Sequence, residues 1–289
     1  MTSSLRNGFE QLLVRVLRLL VHPGLAALAV MRRLPFGSWE LRCALDLHPR
    51  PHYAYGVQQA AELARRLGVD RISVIEFGVA GGNGLVELSR LARGATAATG
   101  VRIDVYGCDR GAGLPKPVDY RDLPYIWREG DFSMDLDALR ARLPDAKLVM
   151  GDIEDTADGF AERERPAPIG FVSIDVDFYS SAAASLRVFR GDHRFFLPRV
   201  FCYLDDTVGD DDQILHNDRV GELAAVREFN EANPVMTLAP IHGLRHKRAV
   251  PAPWNDNIYA LHRFEHPDYG RYVGRTESET ELPLHAGKP

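Results

Sequence analysis

Cysteine is scarce in this chain. Cys43, Cys108 and Cys202 are three in 289 residues, too few and too widely spaced for a disulfide framework or a zinc site. Cys108 and Cys202 lie in apolar, strand-like runs, so buried free thiols in a reducing, cytoplasmic compartment are expected. An excess of positive charge is also lacking. A net charge of −5 argues against a general nucleic-acid binder, because phosphate contacts need a basic surface. No apolar run reaches the ~20 residues that span a bilayer. The most apolar stretch, "LLVRVLRLLVHPGLAALAVMRRLPF", is interrupted by Arg15, Arg18 and the break His22-Pro23-Gly24. Glu10 and the lack of a small-residue cleavage site count against a secretory signal. The stretch reads as helices packed on the domain or on a second subunit of a homo-oligomer; the alternative is a helix lying at a membrane surface. No internal repeat is visible.

What is present is ordinary for a soluble globular protein, with 45% hydrophobic and 26% charged residues in 32.2 kDa. That length builds one large domain with decorations, or two small ones. "YGVQQAAELARRLG" (55–68) has helical spacing and leads into a strand, "ISVIEF". Strands are also read at "VRIDVYGC" (101–108), "AKLVM" (146–150), "IGFVSIDVDFY" (169–179) and "RVFCYLDD" (199–206). Helices "LVELSRLA", "MDLDALRARL" (134–143), "SAAASLRVF" and "RVGELAAVREFNEAN" (219–233) fall between or after them. Such alternation predicts a doubly wound α/β fold, a mostly parallel sheet covered on both faces. "PVMTLAP" and "NIYALHRF" are expected to pair as an antiparallel edge. The expected division is a helical extension at 1–54, the main domain at 55–270 and a polar tail at 271–289.

The acids are informative because ligands of such sheets bind outside the carboxyl ends of the strands. Glu76, Asp109, Asp152, the pair Asp175 and Asp177, and the pair Asp205 and Asp206 all fall at or just after strand ends. They form two clusters. In the first, "VIEFGVAGGNG" places Gly78, Gly81, Gly82 and Gly84 between a strand and a helix. There the backbone can approach a nucleotide-like cofactor closely and the helix start offers free N–H groups. Asp109, ending the second strand, suits both hydroxyls of a ribose. The bland readings are a non-binding tight turn for the glycines, and turn formers for Asp109 and Asp152.

The second cluster is Asp175, Asp177, Asp205 and Asp206. Neighbouring strands lie ~4.8 Å apart, so these carboxylates can converge on one ion. With no cysteine and no obvious histidine among them, a hard cation such as Mg2+ fits best. The alternatives are helix capping by Asp177 and a turn at Asp206. His216, His242 and His246 lie in loops from which they could reach the crevice or simply face solvent. The run "GDDDQ" (209–213) reads as a solvated loop. Candidate catalytic residues are therefore Asp175, Asp177 and His242. The long Pro- and Gly-rich connection holding Tyr120, Tyr125 and Trp127 is either a cover over the acceptor or a packed surface loop.

In order and spacing, "IEFGVAGGNG", "YGCDRGAGLP", "DFSMDLDALRARL", "GDIEDT", "SIDVDFYSS" and "YLDD" resemble the macrocin O-methyltransferase family, over roughly residues 55 to 230. These are class I S-adenosylmethionine-dependent enzymes that methylate hydroxyls, often on sugars of natural products. The resemblance implies seven strands with an antiparallel last pair. It also implies cofactor contacts from Glu76 to Gly84 and from Asp109, with Asp152 near the adenine, and a magnesium site of Asp175, Asp205 and Asp206. Family members often follow the acidic pair with Tyr-Gly-His, whereas this chain has Thr207-Val208-Gly209, which leaves the general base open. The expected function is transfer of a methyl group to a hydroxyl of a sugar, glycoside or other small natural product. The alternatives are a hydroxylase-like relative of the same fold, or a non-catalytic cofactor-binding or membrane-surface protein. A nicotinamide-dependent dehydrogenase fits less well, because Ala80 stands where a dinucleotide fingerprint needs its second glycine.

Overall fold

The computed structural model describes residues 23–34, 36–143, 145–208 and 217–274. Among them, seven strands form one sheet: β1 (Arg71–Phe77), β2 (Arg102–Asp109), β3 (Ala146–Met150), β4 (Ile169–Ile174), β5 (Phe196–Leu204), β6 (Met236–Pro240) and β7 (Ile258–Arg263). The order is β3-β2-β1-β4-β5-β7-β6, with β7 antiparallel to both of its neighbours. This is the expected doubly wound fold with an antiparallel last pair. β1 and β4 are near-continuous apolar runs because helices cover both faces of the sheet. All six residues of β4 are buried.

The helices are α1 (Pro23–Met31), α2 (Trp39–Ala44), α3 (Pro51–Leu67), α4 (Asn83–Thr99), α5 (Leu136–Arg142), α6 (Ile153–Ala157), α7 (Phe160–Glu164), α8 (Tyr179–Ser185), α9 (Gly221–Ala232) and α10 (Leu244–Lys247). Two hydrophobic cores result, one on each face of the sheet. Tyr53, Val57 and Ala60 of α3 join Leu85 and Leu88 of α4 on one side. Phe160 of α7, Ala182 of α8 and Phe229 of α9 pack on the other. All three cysteines are buried and unpaired, as expected, and burial pushes the Cys43 thiol up to about 12.

Pro23 and Gly24, where the sequence reading placed a break, open α1; proline suits a first helical turn, where its missing N–H goes unused. One feature of the amino-terminal part differs from the sequence reading. The division expected at residue 54 falls inside α3, whose Tyr53 and Ala54 are both buried. Among the described residues no helix is long and apolar enough to cross a membrane. Residues 1–22, which carry the beginning of the apolar stretch with Arg15 and Arg18, lie outside the described residues.

The segment before α3 is tied to the far end of the chain by a buried ion pair. Arg248 Nη2 donates to Asp46 Oδ1 at 2.5 Å and to the Cys43 carbonyl at 2.6 Å, while Trp254 Nε1 donates to Asp46 Oδ2 at 3.2 Å. Burial raises the Asp46 pKa and outweighs the opposing pull of Arg248. Such a pair adds little net stability over an apolar contact, yet breaking it strands a buried charge. Arg248→Ala is expected to cost about 3–5 kcal/mol, read as a lower urea midpoint with unchanged m-value.

Candidate cofactor crevice and active site

The sheet reverses direction between β1 and β4: from β1 the chain winds outward to β2 and β3, and from β4 to β5. The carboxyl ends of these strands therefore splay around a crevice. It holds a cavity of about 650 Å3, the size of a cofactor or drug-like ligand site.

The glycine turn forms one wall. Gly78 follows β1 with φ +84, and a Cβ there would overlap the backbone carbonyl of Asp175, so the position admits only glycine. The same closeness appears in the bond from Asp175 N to the Phe77 carbonyl at 3.0 Å. Gly84, in the first turn of α4, leaves room for the Glu76 carboxylate. Gly81 is exposed with open space around it, and Gly82 packs beneath Leu139 of α5.

Asp109 does more than sequence reasoning assigned to it. Its Oδ2 accepts from Val79 N at 2.8 Å and Ala80 N at 3.0 Å, and Oδ1 accepts from Gly111 N at 2.5 Å. A carboxylate offers about four acceptor positions, so one remains on Oδ1 for a ribose hydroxyl. Asp109 thus holds the glycine turn in shape, including Ala80, whose φ of +46 is unusual for a residue with a side chain. Asp152 sits at the mouth, exposed and paired with Arg110 at 3.1 Å.

Glu76 is buried beneath the turn. Tyr53 Oη donates to its Oε1 at 2.6 Å and accepts from Ser173 Oγ at 2.9 Å. Burial raises the Glu76 pKa to about 7, against the Tyr53 hydrogen bond and the charge of Arg50, while Asp109 adds to the rise. A carboxyl whose folded pKa lies above its unfolded value of 4.5 stabilises the fold fully below that pH and loses the contribution as pH climbs to 7. The ligand-free protein should therefore lose stability between pH 5 and 7. Glu76→Gln keeps an acceptor for Tyr53 and should flatten that slope by up to about 3 kcal/mol, measurable by urea denaturation at several pH values.

The second acidic cluster follows the ends of β4 and β5. Asp175, Asp177, Asp205 and Asp206 all line the cavity. Asp177 has φ +60. Burial first, and the charges of Asp205 and Asp131 second, raise its pKa to about 7. Burial and the neighbouring acids Asp177 and Asp205 raise Asp206 to about 8. Behind them lies Glu222 of α9, fully buried, accepting from Asp206 N at 3.1 Å. Asp206 Oδ2 and Glu222 Oε1 are both buried with no hydrogen-bond partner among the described residues. Such an all-oxygen set, with orphaned acceptors and mutual repulsion, suits a hard cation in its donor chemistry. The side chains surround one region without closing on a point: among the described residues, no group of three or more is drawn together closely enough to hold an ion. Asp205 Oδ1 instead accepts from Tyr203 Oη.

His242 needs correcting. It is exposed in the loop after β6 and does not line the cavity. β7 lies between β5 and β6 in the sheet, so the loop after β6 opens two strands away from the acids of β5. His246, in α10, is likewise exposed; His216 and the run at 209–213 lie outside the described residues.

The long connection after β2 covers the cavity with Trp127 and Phe132, packed edge-to-face at 6.0 Å between centroids. Trp127 Nε1 is buried without a partner among the described residues. Tyr120 and Tyr125 point outward. Asp122, which the sequence reading passed over, is fully buried and anchors the connection. Its Oδ1 accepts from Ser180 N at 2.8 Å, and its Oδ2 from Val118 N at 2.7 Å and Ser180 Oγ at 3.0 Å.

By sequence, no protein family matches the chain, and no curated protein matches it. Among solved structures it is similar to CalS11, a calicheamicin methyltransferase, at 20% identity and a TM-score of 0.46, over 83% of this chain and 91% of that one. It is also similar to the O-methyltransferase TomG from Streptomyces achromogenes, involved in tomaymycin synthesis and bound to S-adenosylmethionine. There the identity is 16% and the TM-score 0.38, over 71% and 77% of the two chains. A third is the MycE methyltransferase of the mycinamycin pathway in complex with Mg and S-adenosylhomocysteine, at 15% identity and a TM-score of 0.36, over 71% of this chain and 49% of that one. The activities named belong to those proteins.

The charge of the crevice discriminates between ligand classes. Nine acidic side chains line it against three basic ones, Arg50, Arg110 and Lys116. Burial shifts Glu76, Asp175, Asp177 and Asp206 toward their neutral forms. The other five acids still outnumber the three cations, and such a lining disfavours the pyrophosphate of a dinucleotide relative to a cationic ligand.

Proposed function

We propose that the chain is an S-adenosylmethionine-dependent methyltransferase acting on a hydroxyl of a sugar, glycoside or other small natural product. The observation that carries this reading is the acid-lined crevice at the strand switch point, closed on one side by a glycine turn that Asp109 holds. A sulfonium cofactor brings positive charge to that wall, and its adenosine end finds Asp109 and the start of α4.

Methyl transfer from a sulfonium is a direct displacement. The protein must align the acceptor oxygen, remove its proton and keep water away. Trp127 and Phe132 cover the cavity and exclude water. Asp177, on the cavity wall, takes the acceptor proton. Asp175, Asp205 and Asp206 would hold a divalent cation, Mg2+ by their oxygen-only chemistry, which when bound supplies Lewis-acid stabilisation of a developing alkoxide. Glu222, behind them, fixes the backbone of Asp206 and so the orientation of the pair at the end of β5.

The test is methyl uptake from labelled S-adenosylmethionine across a panel of sugars, glycosides and phenols. Transfer to oxygen in at least one hydroxyl class is expected. Cofactor binding with transfer only to nitrogen or sulfur acceptors would overturn the assignment to oxygen.

A further inference from the structure

Arg50 stands apart from the other cations of the crevice. Arg110 is paired with Asp152, and Lys116 projects from the exposed covering segment. Arg50 is half-buried at the amino-terminal cap of α3, where the positive end of the helix adds to its charge. Its guanidinium lies 5.1 Å from the centroid of the Tyr53 ring, the same tyrosine that donates to Glu76. Among the described residues it forms no hydrogen bond and no ion pair. Glu76, Asp175 and Asp205 nevertheless act on it electrostatically, and Arg50 lines the same cavity as these three acids.

A lone cation set among carboxylates has a particular complement. An α-amino acid carries an anionic and a cationic group two bonds apart, and needs one cation and one acid side by side. A fixed guanidinium matches a carboxylate through two parallel hydrogen bonds, which a lysine cannot reproduce. We infer that Arg50 receives the carboxylate of the amino-acid end of the cofactor, beside the acids Glu76 and Asp175, and so selects cofactors that carry that end. This rests on the S-adenosylmethionine reading of the crevice. It adds to the site a residue from a helix that precedes every quoted motif.

The experiment compares S-adenosylhomocysteine with 5′-methylthioadenosine, which shares the adenosine and the sulfur but lacks the amino-acid end. Both are titrated calorimetrically into the full-length wild type, Arg50→Gln and Arg50→Lys. Arg50→Gln should weaken S-adenosylhomocysteine by roughly tenfold or more and leave 5′-methylthioadenosine unchanged within about twofold. Arg50→Lys should fall between, keeping the charge and losing the fork. Binding of 5′-methylthioadenosine to the variants also reports that their crevice is folded. Equal weakening of both compounds would overturn the inference, since an arginine that only offsets the surrounding acids, or only supports α3, affects both alike. Undiminished S-adenosylhomocysteine binding would overturn it too. If the wild type binds neither compound, the cofactor reading falls, and the inference with it.

Discussion

Replacing Asp109 with alanine is expected to weaken S-adenosylhomocysteine binding by roughly ten- to a hundredfold. The size follows from what the carboxylate holds. Three backbone N–H groups, on Val79, Ala80 and Gly111, donate to it within 3.0 Å. Without an acceptor these donors must turn to water, and the turn loses the shape that brings its backbone to the ligand. Ala80 is the weak point, because its left-handed conformation has little intrinsic support. Asp109→Asn should be milder: one amide oxygen can serve Val79 and Ala80, but the amide nitrogen then faces the N–H of Gly111. The order wild type, Asn, Ala in affinity is therefore expected by calorimetry. Equal affinities would mean that the turn shapes itself.

Removing divalent cations is expected to reduce methyl transfer by at least about a hundredfold, the scale of several kcal/mol of transition-state stabilisation. Cofactor affinity should change far less, because the cation acts at the reacting oxygen. Asp205→Asn, which keeps size and removes charge, should raise the magnesium concentration needed for half-maximal activity. This is a demanding test, because Asp205 is engaged with Tyr203 and, among the described residues, the carboxylates do not close on a point. The orphaned Asp206 Oδ2 and Glu222 Oε1 are what favour the prediction. The readout is activity after EDTA treatment and after restoring magnesium, with cofactor binding followed in the same samples. Full activity in chelated enzyme would leave Asp175, Asp205 and Asp206 as electrostatic neighbours of the cofactor and nothing more.

The sheet was largely legible because its strands are short apolar runs bounded by glycine, proline and acids. "AKLVM" matches β3 residue for residue, and "NIYALHRF" brackets β7 within one residue at each end. The acidic ends of "IGFVSIDVDFY" and "RVFCYLDD" lie beyond β4 and β5, because both strands stop where the backbone turns toward the crevice. The helices α2, α6, α7 and α10 escaped notice: at four to six residues each they show too little periodicity to separate from loop.

At the site, sequence order exposed what each strand end carries but not what lies across from it. Asp109 was legible as a strand-end acid; its bonds to amides some thirty residues earlier were not. Arg50 and Tyr53 belong to the first turn of α3, which meets the crevice only once that helix packs on β4 and β5. Glu222 did leave a trace, an acid among the alanines and valine that form the buried face of α9. His242 misled because strand count alone places it at the right rim; only the lateral order of β5, β7 and β6 moves it away.

The central claim is that this crevice binds a sulfonium cofactor rather than a dinucleotide, and parallel calorimetric titrations test it most directly. S-adenosylmethionine, S-adenosylhomocysteine and NAD are each added to the purified full-length protein under one set of conditions. Saturable one-to-one binding of the first two, with no measurable heat from NAD, is the predicted result. Saturable binding of NAD with none of S-adenosylmethionine would contradict the account at its base.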